Sequence, residues 1–355
     1  MTTKPHLNWG IIGSGQISSW FVSDLQLDRQ EAKATHKVVA IGASSHTKGS
    51  KFIEAQKLPK TTFVGSYDDV YNHPDVDIIY IGLPHVFHKE SALKAIAAGK
   101  HVLVEKPATV NAKDFKVIVD AARAKGVFLM EAMWLRFRPL ILELKELLLK
   151  RKQLGVIHRI IADFSWDMNI DQLPDDSRLK SNKLGAGALL DIGIYPLTFS
   201  RVLLDDKIGK DHTPFKVTGV QTIHNDVDYM TTVVLLYEDQ KQAVITSSIY
   251  TDSQFEYLRV ECEKGTVFIG GDMASLPTQY RIEFKDKSKP EVKKSFPAHG
   301  QYGWGLYYEA DAVAIDIAAG RTENVLCPLD ESILVLETMD EVRKQGGLVY
   351  PQDKE

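Results

Sequence analysis

Short β-branched runs alternate with longer amphipathic stretches through the first third of the chain. The runs are Leu7 to Ile12, Val38 to Ala43, Val76 to Ile81, His101 to Val104 and Val127 to Met130. Between them, Ile17, Phe21 and Leu25 recur at helical spacing. Ser91 to Ala98 and Ala112 to Ala124 predict helices that stop at Gly99 and Gly126, glycine being the residue that closes a helix in a left-handed conformation. Strand and helix repeated in this way predict βαβ units feeding a parallel, doubly wound sheet.

From Gly155 the pattern changes to alternation at period two. Tyr280, Ile282 and Phe284 share one face of a predicted strand, and Leu258, Val260 and Cys262 share one face of another, which turns at Lys264-Gly265 into Thr266 to Ile269. Further strands are expected at Val156 to Phe164, Val217 to Ile223, Thr232 to Tyr237 and Ala243 to Tyr250. Such a series predicts an α+β domain with a large, mostly antiparallel sheet that needs a cover on one face. Two amphipathic helices are candidates for it: one through Leu306, Ala310, Val313 and Ile317, the other through Ile333, Leu336, Met339 and Val342.

Composition narrows the function classes. A chain of 355 residues and 39.8 kDa suits two domains at about 150 residues each. Apolar residues are 44% and charged residues 25% of the chain, a globular balance, and the net charge of −4 gives no bulk attraction to nucleic acid or anionic lipid. The basic run within Leu144 to Lys152 fits a helix C-terminus better than a nucleic-acid patch. Met1 to His6 carries no apolar signal segment, and no stretch reads as a membrane span of about 18 apolar residues. Cys262 and Cys327, the two cysteines, lack disulfide or zinc spacing, so a reducing, cytoplasmic setting is expected.

The chemistry begins at Gly13-Ser14-Gly15-Gln16-Ile17-Ser18, which follows a predicted strand and opens a predicted helix. Gly13 permits the tight turn, Gly15 lets backbone approach a pyrophosphate, and the helix N-terminus supplies amide donors. Ser18 stands where the dinucleotide fingerprint has its third glycine. An NAD enzyme places a carboxylate after the second strand for the ribose 2′-OH. No acidic residue occurs from Ala32 to Ile53, and the strand is followed by Ser44, Ser45, His46, Thr47 and Lys48. Hydroxyls and cations without a carboxylate suit a 2′-phosphate, so NADP is expected over NAD.

Two loops past later strands should face the same ligand crevice: Leu83-Pro84-His85-Val86-Phe87-His88 and Glu105-Lys106-Pro107. His85 and His88 lack a convincing third ligand, so no metal is expected. Lys106, between a strand end and Pro107, reads either as a rigidly held ammonium near the reacting carbon or as a surface lysine. In Gly185 to Pro196, Asp191 and Tyr195 share a helical face if the segment is helical. A tyrosine near a cation serves as acid or base because the cation favours phenolate; the alternative is a buried tyrosine with Asp191 as a cap.

Taken together, these residues resemble the Gfo/Idh/MocA oxidoreductases, whose signature is Glu105-Lys106-Pro107 after a Rossmann domain. Glu131-Ala132-Met133-Trp134-Leu135-Arg136-Phe137, Gly187 to Pro196 and the ending Gly347-Leu348-Val349-Tyr350-Pro351 are similar to the branch of dimeric dihydrodiol dehydrogenases and NADP-dependent D-xylose dehydrogenases. The resemblance implies a Rossmann domain over 1–135, a substrate-binding and dimerisation domain over 136–355, and a last helix near 330–345 returning to the first. It implies Lys106 and Tyr195 as the catalytic pair with Asp191 beside them. Trp134, Arg136, Phe164 and Trp166 become candidates for cofactor and substrate walls. His85 departs from the asparagine common in the family, and the loop after Ala43 lacks the usual arginine.

The expected activity is NADP-dependent oxidation of the anomeric hydroxyl of an aldopyranose, D-xylose foremost, to the lactone. The alternatives are trans-dihydrodiol oxidation and a non-catalytic NADP-binding regulator. A homodimer through the open face of the second sheet is expected, because the chain's helices cover one face only.

Overall fold

Six strands build the first sheet: β1 His6–Ile12, β2 Thr35–Gly42, β3 Phe63–Gly65, β4 Ile78–Ile81, β5 His101–Glu105 and β6 Leu129–Ala132. They pair in the order β3-β2-β1-β4-β5-β6, and every pairing is parallel. Burial on both faces explains the continuous apolar runs: Trp9, Ile11 and Ile12 of β1 and all of β4 have no accessible surface. The order reverses beside β1, which places the ligand-binding switch point at its carboxyl end. The computed structural model from which these elements are taken describes residues 4–296 and 303–354.

The second sheet has eight strands: β7 Ile157–Ser165, β8 Phe215–His224, β9 Val227–Tyr237, β10 Gln242–Ser248, β11 Leu258–Cys262, β12 Gly265–Gly270, β13 Gln279–Phe284 and β14 Val292–Ser295. Their order is β14-β13-β12-β11-β7-β10-β9-β8, antiparallel except for the β7–β10 pair. The apolar face is covered by the helix Ile194–Leu204, which packs on β7 and β10 and is buried on every side. Among the described residues one stretch, Asn182–Leu204, is long and apolar enough to cross a membrane, and it is 94% buried inside the protein. Helices hydrophobic all round belong in a core.

The chain divides into two compact units: Met1–Thr109, Lys113–Trp134 and Ala298–Leu329 in the first, and Val110–Ala112, Leu135–Pro297 and Asp330–Glu355 in the second. This corrects one expectation. The helix through Leu306 and Ile317, observed as Tyr307–Ala318, does not cover the second sheet but belongs to the first unit. There Arg29 and Asp311 form a bidentate pair at 3.0 and 3.1 Å, and Asp24 accepts the amides of Trp304 and Leu306. The last helix, Leu329–Gly346, falls almost wholly in the second unit, where Gln345 accepts the Gly219 amide of β8 at 2.8 Å.

Candidate active site

In the first unit the turn after β1 is shaped for a diphosphate. Gly13 has φ +96°, and a side chain there would meet the Gly82 carbonyl oxygen at 2.8 Å, whereas Gly15 opens onto clear space. The helix Gln16–Leu25 starts immediately after Gly15 with no side-chain cap and no acidic residue in its first turn. Its amide dipole is therefore not neutralised by protein, and Ser14, Gln16 and Ile17 lie at that mouth. Ser18 is fully buried and sits where a Gly82 side chain would be 2.2 Å from its Oγ, so the small third residue permits close helix–strand packing. The donor set suits a dinucleotide.

After β2, Ser44, Ser45, His46, Thr47 and Lys48 are all exposed. Ser45 caps the helix His46–Ala55 by accepting the Lys48 amide at 3.3 Å. The loop carries hydroxyls and cations and no carboxylate.

Past β4, Leu83, Pro84 and His85 are half-buried, but His88 is wholly buried. His88 Nε2 lies 2.7 Å from the Leu83 carbonyl oxygen, and Nδ1 lies 3.1 and 3.2 Å from those of Pro107 and Ala108. Burial, with His85 nearby, lowers its pKa to about 4. His88 thus ties the 83–88 loop to the loop holding Lys106 and presents no surface to a ligand. The Lys106-Pro107 bond is cis. Glu105 is buried, accepts Tyr80 Oη–H at 2.6 Å and the Lys106 amide at 3.1 Å, and is pushed up to about 7 by burial despite those bonds. Its role is to brace the Lys106 backbone.

Arg136, expected at the cofactor or substrate wall, has a carboxylate partner within the protein. It is 4% exposed and pairs with Glu331 at 3.0 Å inside the second unit. Trp134 is likewise buried at 6% exposure, at the start of the short 3-10 helix Trp134–Phe137.

The second unit gathers the remaining candidates. A π-helical turn, Leu189–Gly193, runs into the helix Ile194–Leu204, placing Asp191 and Tyr195 one turn apart. Asp191 is half-buried with Arg178 at 3.7 Å. Tyr195 is buried, and its ring meets that of Phe164 edge-on at 5.6 Å between centroids. Phe164 and Trp166 then line a cleft of about 340 Å³ with Asp252, Phe255, Tyr257 and Asp272. Trp166 and Phe255 are about half exposed, and they share the lining of the cleft with two carboxylates.

Sequence reasoning missed Asp252, Asp272 and Tyr257, single residues in turns with no motif around them. It also missed Glu309 in the first unit. Burial, with Glu105, Asp24 and Glu131 near it, holds that carboxyl well above the usual range. Only the fold brings such residues together. Among the described residues no group of three His, Cys, Asp or Glu is placed to hold a metal.

Residues 7–133 match the family model described as an oxidoreductase family with an NAD-binding Rossmann fold, and residues 141–268 match the GFO/IDH/MocA C-terminal domain. The D-xylose 1-dehydrogenase (NADP(+)) of Hypocrea jecorina is 31% identical, with 98% of this chain and 93% of that protein covered. The trans-1,2-dihydrobenzene-1,2-diol dehydrogenase of Xenopus tropicalis is 33% identical over 99% of this chain and 100% of that protein. Its counterpart from Homo sapiens is 34% identical over 98% and 99%. Among solved structures, a levoglucosan dehydrogenase aligns with TM-score 0.81 at 18% identity, covering 96% of this chain and 97% of that one. The aldose-aldose oxidoreductase from Caulobacter crescentus aligns with TM-score 0.79 at 21% identity, covering 96% and 98%.

Proposed function

The chain belongs to the GFO/IDH/MocA family of oxidoreductases, and on that premise we propose that it oxidises the anomeric hydroxyl of an aldopyranose, D-xylose foremost, with NADP as acceptor. The observation that carries the sugar reading is the cleft lined by Phe164, whose ring meets that of Tyr195, where Trp166 and Phe255 share the wall with the carboxylates of Asp252 and Asp272. Aromatic faces suit the C–H faces of a pyranose, and carboxylates accept hydroxyl protons.

NADP, when bound, supplies the nicotinamide carbon that takes the hydride. The Gly13 to Ile17 turn binds the diphosphate through backbone amides, and Ser44, Ser45, His46 and Lys48 receive the 2′-phosphate. Tyr195 takes the hydroxyl proton, and Lys106 stabilises negative charge developing on that oxygen. Asp191 orients the substrate. The catalytic assignments follow the family pattern carried by Glu105-Lys106-Pro107 and Gly187 to Pro196.

A trans-dihydrodiol of an arene is the second reading, supported by the relatives of 32 to 34% identity and by the aromatic walls of the cleft. The deciding experiment incubates pure protein with NADP or NAD and a panel of pentoses, hexoses and diols, following absorbance of the reduced nicotinamide. Fastest turnover of D-xylose with NADP supports the proposal. Tight NADP binding without turnover of any panel member makes the protein a regulator.

The working form is proposed to be a homodimer through the open face of the second sheet. Val220 of β8 and Met230 and Leu236 of β9 lie on that face at 69%, 41% and 37% exposure, and apolar side chains so grouped favour a cover.

A further inference from the structure

The helix that carries Asp191 and Tyr195 begins without a cap of its own. Ala188 stands at the N-cap of the π-helical turn and provides no side-chain hydrogen bond. Gly187 has φ +146°, and a side chain there would lie 2.0 Å from Asp228 Oδ1, so no serine or aspartate fits at that position to do the capping locally.

We propose that Asp228, reaching from the start of β9, is a positioning residue whose carboxylate caps this helix and fixes where Asp191 and Tyr195 stand along its axis. The catalytic part of this inference rests on the role proposed above for Tyr195. Asp228 is wholly buried. Its Oδ2 accepts the Leu189 amide at 2.8 Å and the Thr231 hydroxyl at 2.7 Å. Tyr350 Oη–H donates to the Ala186 carbonyl at 2.6 Å, so the entry to the helix is held from two sides. A carboxylate at an N-terminus completes an orphan amide and complements the dipole. The π turn that follows is the part of the helix whose register is least fixed by its own bonding.

The groups facing Asp228 are Thr231 of β9 itself, Gln221 of β8 and Tyr350 of the C-terminal segment, with Arg343 of the last helix 5.0 Å from the Tyr350 ring and Asp353 beyond it. Burial pushes the Asp228 carboxyl up to about 6, against the opposing bonds from Thr231 and Leu189. As pH falls through that value the cap loses its charge and the helix entry loosens.

The test is Asp228→Ala, which removes the acceptor, with Asp228→Asn as the conservative variant that keeps the shape and an acceptor oxygen but removes the charge. In Asp228→Ala, hydrogen exchange of the amides from 188 to 195 should become about tenfold faster, the scale of a lost N-cap, while the β9–β10 ladder keeps its protection and Asp228→Asn restores most of the protection over 188–195. With D-xylose and NADP, kcat of Asp228→Ala should fall about tenfold with NADP affinity unchanged, and the limb of the pH profile near pH 6 should disappear in both variants. Unchanged exchange over 188–195 in Asp228→Ala overturns the proposal. If the sugar is not turned over by the parent protein, the Tyr195 reading has failed, and the exchange data still decide the capping role. If Asp228→Ala does not fold, exchange corrected for its intrinsic pH dependence is compared between the parent and Asp228→Asn: the parent amides over 188–195 should lose protection as pH falls through 6 and those of Asp228→Asn should not, and the same pH dependence in both rejects the cap.

Discussion

Glu331 decides whether Arg136 serves the cofactor or the core. The carboxylate has no accessible surface and receives Arg136 at 3.0 Å, Arg201 at 3.1 and 3.3 Å and the Gly209 amide at 2.7 Å. Burial alone would raise its pKa, but Arg136 and Arg201 outweigh burial and hold it down at about 2, from an ordinary value of 4.5. At about 1.4 kcal/mol per unit, that depression corresponds to about 3 kcal/mol of stability. The folded-state value lies below the unfolded one, so this contribution is complete above pH 4.5 and is lost as pH falls toward 2. Glu331→Gln strips the charge while nearly preserving shape and takes from two buried guanidiniums the carboxylate they share, which typically costs about 3–5 kcal/mol. For a unit of 150–250 residues, about 3 kcal/mol lowers the melting temperature by about 6–12 °C. Thermal and urea melts at neutral pH read this directly, with Arg136→Met as companion, expected to melt early and to bind NADP as the parent does. A Glu331→Gln protein within about 1 kcal/mol of the parent would refute the reasoning. So would an Arg136→Met protein that melts normally but has lost NADP affinity.

Tyr195→Phe and Lys106→Met should each fold and bind NADP yet turn over at least about a hundredfold more slowly, as loss of general-base or charge-stabilising help does; near-parental kcat in steady-state assays would make Tyr195 a packing residue. Ser45→Asp should shift preference from NADP toward NAD without loss of stability, since aspartate caps the helix His46–Ala55 as well as serine does; the ratio of kcat/KM for the two cofactors measures it, and an unchanged ratio removes the 44–48 loop from cofactor choice. Light scattering at micromolar protein should give twice the 39.8 kDa chain mass, and Met230→Lys on the open face should reduce it to the single chain.

The parts of this protein legible in the sequence are those whose meaning is local. Gly13 and Gly15 are explained by backbone conformation and clearance in their own turn, and five of the six parallel strands follow from apolar runs. β3 escaped notice because Phe63–Gly65 is too short for a pattern, and β14 because Val292–Ser295 is an exposed edge strand carrying two lysines, the charge that blocks edge pairing and also hides alternation. Residue type alone did not show that His88 and Arg136 are buried and bonded to protein groups, since imidazole and guanidinium serve ligand binding and buried bracing equally well. Asp228 and Glu331 were invisible for the converse reason: each acts on backbone or charge supplied by another part of the chain, and a lone acid in a strand or helix bears no mark of that distant partner.

The assignment of Tyr307–Ala318 to the first unit bears on how the protein is made. Arg29 and Asp24 leave the ribosome about 280 residues before their partners Asp311, Trp304 and Leu306. Leu129 likewise gives its amide to the carbonyl of Thr322. A nascent chain that has delivered every strand of the nucleotide-type sheet still lacks the helix that closes it, with the whole second sheet yet to be synthesised. Vectorial synthesis cannot finish the first unit before the second sheet has emerged. Cutting the gene after the last parallel strand would therefore yield an open fragment with an uncompensated Arg29 and a bare carboxylate at Asp24, and the binding half of this enzyme is not a transplantable cassette.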